Sequence, residues 1–369
     1  MRPHNRGLSI VRNRPQRLNQ GAAASLIRNN AALASYRTAV TNRASAPVPI
    51  VYIGDSWGEG MNVATYGQRM VDLIVTNLQT AYPTTGATGI GGSTYLPADY
   101  SSPQLMHSYT SLLGGFGGGV NAGGFGRRQF IFATIGQGAR YTRTCTDLDI
   151  FWFNIAGAGT LRVVIDGGAP LDIATSGGTA NAWNKTTITG LSDASHTIDV
   201  TCQVVGTAVI FGGMNVYRGN RTKGFHMIEA SRQASDSTHD NGGDNQLALV
   251  SPALIILAYS INDYNAQTVT ATYKTNLTNR MAKLRTDASN ASVPILLLGY
   301  NAPNNLGART PAYSTLLTAM AELSDADATK TAFLDISGTL PSAAADVSHT
   351  YWDNVIDTDL HLKLSLIHI

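Results

Sequence analysis

Apolar runs of strand length alternate with amphipathic helical segments over much of the chain. Residues 48–54 form a short run rich in β-branched side chains, which predicts a buried parallel strand. Further strands of this kind are predicted at 224–229, 253–259, 293–299 and 331–336. Because strands that alternate with helices form a parallel sheet covered on both faces, the pattern predicts an α/β fold.

Helical periodicity fills the gaps between these strands. One helix presents an apolar face made of Met70, Leu73, Ile74, Leu78 and Ala81, and it ends before Pro83. A second, at about 266–286, presents a face made of Val269, Tyr273, Leu277, Met281 and Leu284. A third is predicted to start at Thr310, a good N-cap, with Pro311 in its first turn. Another is predicted at about 21–43.

The pattern changes to short alternating strands between residues 127 and 218, with no helical period. The predicted strands lie at 129–134, 149–153, 161–165, 186–189, 197–204 and 208–211. Gly-rich turns separate them, which is typical of an all-β sandwich or jelly roll. This unit interrupts the parallel sheet between its first and second strands. The Gly- and Ser-rich stretch 83–126 before it is predicted to be loop.

These patterns divide the chain into five parts. A basic arm and helix at 1–44 precede the first part of the α/β domain at 45–126. The inserted β-sandwich follows at 127–218, and the second part of the α/β domain at 219–363. Residues 364–369 resemble the translation of a transposon adapter used in shotgun sequencing. We therefore expect the native sequence to stop at Lys363, and we exclude His368 from the chemistry.

Composition and charge narrow the class of protein. Of 369 residues, 14% are charged and the net charge is +2, which gives no case for nucleic acid as a partner of the whole chain. Residues 1–43 nevertheless carry eight arginines and no acid, so this arm could contact nucleic acid or an anionic surface, or be a solvated extension. The chain lacks the pattern of a signal peptide and any apolar run of membrane-spanning length.

Cysteines and glycine motifs add no cofactor site. Cys145 and Cys202 lack metal-ligand spacing and could be either a single disulfide or two buried thiols. Gly117, Gly119 and Ala122 form a nominal G-x-G-x-x-A, but neither a strand before it nor a helix after it is predicted. The sequence therefore predicts no metal and no organic cofactor.

Three short segments carry the candidate chemistry. Ser56 comes directly after the first strand, and Asn262 directly after the third, where open α/β sheets bind ligands. Each has a structural alternative, an N-cap serine or an Asx turn. His361 lies after the fifth strand and near the end, with Asp357 and Asp359 close before it, and its alternative is a histidine of a surface loop. Together they could supply a nucleophile, an oxyanion donor and a base held by a carboxylate.

These blocks resemble those of the SGNH (GDSL-type) hydrolases. Gly54-Asp55-Ser56 matches the first block, Ser260-Ile261-Asn262-Asp263 the third, and Asp359-Leu360-His361 lies where the family carries D-x-x-H. The resemblance implies a flavodoxin-like, three-layer α/β/α fold. It also implies Ser56 as nucleophile, Asn262 as oxyanion amide and His361 as base. No elbow of the G-x-S-x-G type surrounds the serine.

Two departures from the family pattern stand out. The second block normally supplies a glycine N–H to the oxyanion, but residues 229–234 contain no glycine, so the role falls to Ser231 or Arg232. The expected acid position holds a threonine, flanked by Asp357 and Asp359. We favour Asp357, because Asp359 occupies a position that the family leaves variable.

The predicted function is hydrolysis of carboxylic esters through an acyl-enzyme. The inserted unit resembles carbohydrate-binding jelly rolls joined to such esterases, so the predicted substrate is an acylated glycan, with acetyl as the expected acyl group, or a small ester. Trp152 and Trp183 could stack on a sugar or lie in the core. Three alternatives remain: an adhesion protein of a phage tail, virion-associated or extracellular, with a secondary or inactive domain; an insert that only shapes the cleft or makes a homo-oligomer contact; and a lipase or thioesterase.

Overall fold

The structure, a computed structural model, describes residues 27–60, 67–99, 107–118, 123–219, 221–300 and 308–337. Its strands, numbered in chain order, are β1 Ile27–Arg28, β2 Pro47–Gly54, β3 Tyr95–Leu96, β4 Ser111–Leu113, β5 Phe130–Phe132, β6 Gly138–Cys145, β7 Asp147–Asn154, β8 Ala158–Ile165, β9 Leu171–Ala174, β10 Ala182–Ile188, β11 Ala194–Gly206, β12 Val209–Tyr217, β13 Gly224–Glu229, β14 Leu254–Ala258, β15 Ile295–Gly299 and β16 Thr331–Asp335.

The α-helices are short at the sheet edge and long on its faces. They are α1 Ala34–Thr41, α2 Ser56–Glu59, α3 Met70–Ala81, α4 Gln246–Val250, α5 Ile261–Asn265, α6 Thr270–Asp287 and α7 Tyr313–Ala326. A single 3-10 turn precedes α1. Within the described ranges, no helix combines the length and the apolar content that crossing a bilayer requires.

Five parallel strands and one antiparallel edge strand make up the first sheet, in the order β1-β16-β15-β14-β2-β13. Numbered along the chain, the parallel strands run 2-1-3-4-5, which is the predicted flavodoxin-like order. The strand order reverses between β2 and β14, which pair in parallel from Leu254 opposite Ile50 to Ala258 opposite Gly54. The two strands therefore end side by side.

Helices cover this sheet on both faces. Val51 of β2 packs in one apolar cluster with side chains of α6 and α7. Its neighbours Ile50 and Tyr52 point the other way and pack with α3. Because one strand contributes to both clusters, the architecture has the predicted three layers of helix, sheet and helix.

Strands β3–β12 come between β2 and β13 and form two antiparallel five-stranded sheets. One contains β10-β7-β12-β3 with β5 beside β12, and the other runs β4-β6-β11-β8-β9. Their inner faces share an apolar core to which Ile150, Val200 and Phe211 belong. Phe151 and Trp183 face the other way and pack with β2 and α6. The antiparallel strands are thus joined to the α/β layers through a shared apolar core, while the jelly-roll topology stays a prediction.

Several boundaries differ from the sequence-based expectation. The stretch 83–126 contains β3 and β4, which are held by β12 and β6 and are too short to show a period. Strands β6 and β9 were not predicted. The N-terminal helix begins at Ala34, because Ile27 pairs with Leu334 at the sheet edge instead. Helix α7 begins at Tyr313, not at Thr310, since Ala312 is still extended with ψ 147°.

Two further expectations concern buried side chains. Cys145 and Cys202 are free and buried, so the thiol alternative is the correct one for this structure. Trp152 and Trp183 are 6% and 2% exposed, which excludes them as stacking platforms for a sugar. Val269, predicted on the buried face of α6, is instead 65% exposed just before that helix begins.

Candidate active site

Ser56 lies where β2 passes into a one-turn helix. β2 ends at Gly54, which packs so closely against β14 that a Cβ there would lie 2.9 Å from the Ala258 carbonyl oxygen. Asp55 then caps α2 by accepting the Trp57 N–H at 3.0 Å. The serine is the first residue of that helix and is 6% exposed. The sequence therefore brings a hydroxyl to the carboxyl end of β2, as predicted.

Asp55 caps a helix, yet its surroundings favour the protonated form of its carboxyl group. Burial raises the pKa of its carboxyl group to about 7, and the nearby charge of Asp263 adds to the effect. One of its oxygens, Oδ2, has no hydrogen-bond partner within the described protein. The group beside the serine is thus a carboxyl that is partly protonated at neutral pH.

Asn262 lies at the same edge, in α5, four residues after the end of β14. Its Nδ2 donates to the Ser235 carbonyl oxygen at 2.8 Å, and the side chain is half-buried. Since an amide carries two N–H bonds, this contact orients the group and leaves the second N–H for another acceptor. The neighbouring Asp263 is buried and accepts from the N–H and the hydroxyl of Ser237.

The loop after β13, residues 230–235, runs between Ser56 and Asn262. The Arg232 N–H donates to the Gly54 carbonyl oxygen at 3.1 Å, and the Ser231 N–H donates to Glu229 Oε1. The Gln233 N–H is bound by Glu59 Oε2. The N–H groups of Ser231 and Arg232, predicted to meet an oxyanion, are therefore occupied in this structure.

Ala234 is the next residue of that loop and differs from those before it. It has a φ of +60°, a conformation that glycine adopts most readily, and it is exposed. Within the described protein its N–H makes no hydrogen bond. The Ser231 hydroxyl lies against Gly58 of α2 and is fully buried, and the Arg232 guanidinium donates to the Arg127 carbonyl oxygen at 3.1 Å.

A buried ion network underlies this loop. Arg128 lies 2.9 Å from Glu229 Oε2 and 3.5 Å from Glu59 Oε1. Arg69 lies 3.3 Å from the same Glu229 oxygen and pairs with Asp72 at 2.7 Å. All five side chains are at most 3% exposed. Burial nevertheless raises the pKa of Glu229, against the opposing effect of the two arginines.

The network links four separate segments to the backbone around Ser56. Glu59 belongs to the helix that Ser56 starts, and Glu229 ends β13. Glu59 Oε2 accepts the Gln233 N–H and Glu229 Oε1 accepts the Ser231 N–H, so the two carboxylates fix the loop. Sequence reasoning missed this network. The one available signal was an acidic residue, Glu229, at the end of a strand predicted to be buried.

A histidine that the sequence analysis did not single out also lies at this edge. His239 Nδ1 is 2.9 Å from Asp236 Oδ1, and its carbonyl oxygen accepts from the hydroxyl of Tyr259, which follows β14. The ring is one-third exposed. The predicted base His361 and its candidate acids Asp357 and Asp359 lie outside the described residues, so their roles stay predictions.

One group of acidic side chains among the described residues could suggest a cation. Asp240, Asp244 and Asp287 bring carboxylate oxygens within 4.8 Å of one another. The Lys283 ammonium, however, contacts all three, at 3.2, 2.9 and 2.6 Å. The lysine already supplies the positive charge that the cluster needs, so these residues do not point to a metal.

Comparison with known proteins identifies the fold. Neither a protein-family model nor a curated protein matches the sequence. A peptidoglycan O-acetylesterase structure superposes with a TM-score of 0.63 at 15% identity, over 92% of this chain and 94% of that chain. A family two carbohydrate esterase from Clostridium thermocellum gives 0.28 at 11% identity, over 64% and 89%. An acetyl xylan esterase from Butyrivibrio proteoclasticus gives 0.24 at 10%, over 63% and 88%. The first score identifies a shared fold.

Proposed function

We propose that the protein is a serine esterase that removes O-acyl groups, acetyl groups foremost, from a glycan. The observation that carries the proposal is the shared edge of the sheet. Ser56 follows β2, Asn262 follows β14, and the pairing of Gly54 with Ala258 sets the two strand ends side by side. Ligands of open α/β sheets bind at this reversal of strand order. The fold shared with a peptidoglycan O-acetylesterase supports a glycan substrate.

In the proposed reaction, Ser56 Oγ attacks the ester carbonyl while His361 accepts its proton. The acyl C–O bond then breaks, the imidazolium gives that proton to the departing sugar oxygen, which leaves as a hydroxyl, and water hydrolyses the acyl-enzyme by the same steps. Asp357, or else Asp359, holds the imidazole in the required tautomer. The chemistry needs no metal and no organic cofactor.

The oxyanion donors follow from the hydrogen bonds around the loop. Asn262 offers its second amide N–H, because the first is used to hold the Ser235 carbonyl oxygen. The Ala234 N–H is the second donor in this proposal, since those of Ser231 and Arg232 are already bonded. Removing the Asn262 amide would lower kcat roughly a hundred- to a thousand-fold, as is usual for one oxyanion donor.

The test compares acetate release by the protein and by two serine variants, from a nitrophenyl acetate and from O-acetylated peptidoglycan. Ser56→Ala should lower the rate roughly 10⁴-fold or more, because the nucleophile is lost. Ser45→Ala, at the opposite end of β2, should leave it unchanged. Folding of each variant is checked by circular dichroism.

The outcomes separate the alternatives. Acetate release from peptidoglycan that depends on Ser56 supports a glycan O-acetylesterase. Acetate release from the nitrophenyl ester alone supports an esterase but not a glycan as its substrate. No release from either substrate by folded protein would contradict the proposal and favour the adhesion hypothesis.

A further inference from the structure

A cavity of about 310 Å³ lies between the parallel sheet and the antiparallel sheet that contains β7, β10 and β12. Pro47 and Pro49 line it, at the start of β2. Ser56 follows the other end of that strand, and the seven steps along the backbone from Pro49 to Ser56 span about 23 Å of extended chain. The cavity is therefore separate from the candidate active site.

Charged side chains gather on the antiparallel side of this cavity. Asp149 is 2% exposed and accepts from Thr187 Oγ1 at 2.6 Å, Tyr217 OH at 3.0 Å and Arg221 at 2.8 Å. Lys185 lies 3.6 Å from the same carboxylate. Arg221 and Lys185 are about one-third exposed, so both cations reach the cavity and solvent. Two positive charges face one negative charge, which leaves the cavity with an excess of one positive charge.

Asn215 supplies an independent sign of a ligand. It is 1% exposed, lines the cavity, and donates through Nδ2 to Tyr217 OH at 3.1 Å. Its Oδ1 atom has no hydrogen-bond partner within the described protein. Because buried side-chain acceptors are nearly always bonded, this oxygen calls for a donor in the cavity. Burial lowers the pKa of the adjacent His226 to about 4, so its ring is neutral at pH 7.

The opposite wall is apolar. It is made of side chains from β2, β13 and the end of α4, namely Pro47, Pro49, Ile228, Leu249 and Val250. A sugar ring combines hydroxyl groups, which both donate and accept, with an apolar face of C–H groups. A cavity with one polar and one apolar wall therefore matches a sugar better than a simple inorganic ion.

We propose that this cavity binds an acidic saccharide, a sugar ring that carries a carboxylate. The carboxylate meets Arg221 and Lys185, and a ring hydroxyl donates to Asn215 Oδ1. The apolar face of the ring lies against Ile228, Leu249 and Val250. The site goes beyond the proposed esterase activity, because no group near Ser56 takes part.

Binding is measured by calorimetry and saturation-transfer NMR on the full chain carrying Ser56→Ala, which removes ester chemistry. The probes are D-glucuronic acid, D-glucose and acetate. Glucuronic acid should bind, and Lys185→Met or Arg221→Met in that background should weaken binding roughly tenfold through loss of one charge-assisted contact. The matched control Arg162→Met, whose partner is the exposed Asp172, should leave it unchanged.

Three results would overturn the proposal: no binding of glucuronic acid to folded protein, equal binding of glucose, or equal binding of acetate, which would mean an anion site only. Lys185→Met alone carries the test if Arg221→Met does not fold, because the lysine is not the main partner of Asp149. Wild-type ester hydrolysis is measured separately. An inactive protein that binds glucuronic acid would refute the esterase and leave this site standing.

Discussion

Asp55 holds a carboxyl group in the interior directly before the candidate nucleophile. Its Oδ1 accepts the Trp57 N–H, while Oδ2 has no partner among the described residues. Since burial raises its pKa from 3.8 to about 7, the folded protein binds a proton here that the unfolded chain releases. Folding stability attributable to this group is therefore present at low pH and is lost as pH rises from about 4 to 7.

Asp55→Asn should remove this pH dependence, because asparagine still caps α2 without a charge. The free energy of unfolding of the variant, relative to wild type, should rise between pH 4 and 7 by ~4 kcal/mol and stay level above. Urea unfolding at a series of pH values measures the difference.

Asp172→Asn is the control of opposite sign. The Arg162 hydrogen bond lowers the pKa of Asp172, so its contribution is lost as pH falls below 4. A relative stability of Asp55→Asn that does not change with pH would contradict the proposed protonation.

Gly58 lets α2 lie against the loop after β13. A Cβ at this position would overlap the Ser231 hydroxyl and the Tyr52 ring. Gly58→Ala should therefore destabilise the protein by about 1–3 kcal/mol, as overpacking of a core does. Thermal unfolding gives this value, with Gly117→Ala as control, because a Cβ there meets no atom within 4 Å. Equal effects of both variants would argue against close packing at Gly58.

Two histidines compete for the role of base. His361 is the prediction from sequence, whereas His239 lies in the described part, paired with Asp236 at 2.9 Å. His361→Ala should lower kcat/KM for nitrophenyl acetate roughly 10⁴-fold, and His239→Ala should leave it nearly unchanged. Steady-state kinetics on both variants decides the matter. The reverse result would assign the base to His239 and remove His361 from the mechanism.

At the scale of elements, two buried carboxylates hold the backbone of the loop after β13. Glu229 and Glu59 bind two of its N–H groups, and Arg128 compensates both carboxylates. A buried ion pair adds little by itself, but removing one partner leaves an uncompensated charge, which is costly.

Arg128→Met should lower the free energy of unfolding by about 3–5 kcal/mol, because Glu59 and Glu229 lose their shared cation. It should also lower kcat in the protein that remains folded, since the loop beside Ser56 loosens. Urea unfolding and ester hydrolysis supply the two measurements.

Arg140→Met is the matched control. Its partner Asp199 lies 2.6 Å away, and Arg140 itself is 43% exposed, so about 0–1 kcal/mol is expected. A loss as small for Arg128→Met as for Arg140→Met would mean that the network does not hold the loop.

At the scale of the whole molecule, the sequence predicted the elements that have a strong local apolar pattern. The strand Leu254–Ala258 and the helix Met70–Ala81 follow from apolar periodicity, and the strand order set Ser56 near Asn262. What it missed depends on distant partners. Arg128 meets Glu59 and Glu229 across 69 and 101 residues, and no local period marks such a contact.

Short elements were missed for the same reason. Tyr95–Leu96 is a strand because β12 lies beside it, and Ile27–Arg28 because β16 does. The occupied N–H groups of Ser231 and Arg232 likewise follow from carboxylate and carbonyl oxygens brought in by other segments. A family block can suggest which backbone group faces a substrate, but only the fold shows which acceptors already hold it.

The position of Arg128 bears on how this architecture can be recombined. The arginine lies just inside the β-rich stretch of the chain, yet its guanidinium contacts two carboxylates of the α/β part. That stretch therefore cannot be exchanged as an independent unit. A chimera that takes residues 127–218 from another parent imports a foreign side chain at this point, and Glu59 and Glu229 of the host lose the arginine that they share. A crossover placed after Arg128 would keep the arginine together with Glu59 and Glu229. The position at which the two parts can be exchanged is therefore set by this ion network and not by the start of the β-rich stretch.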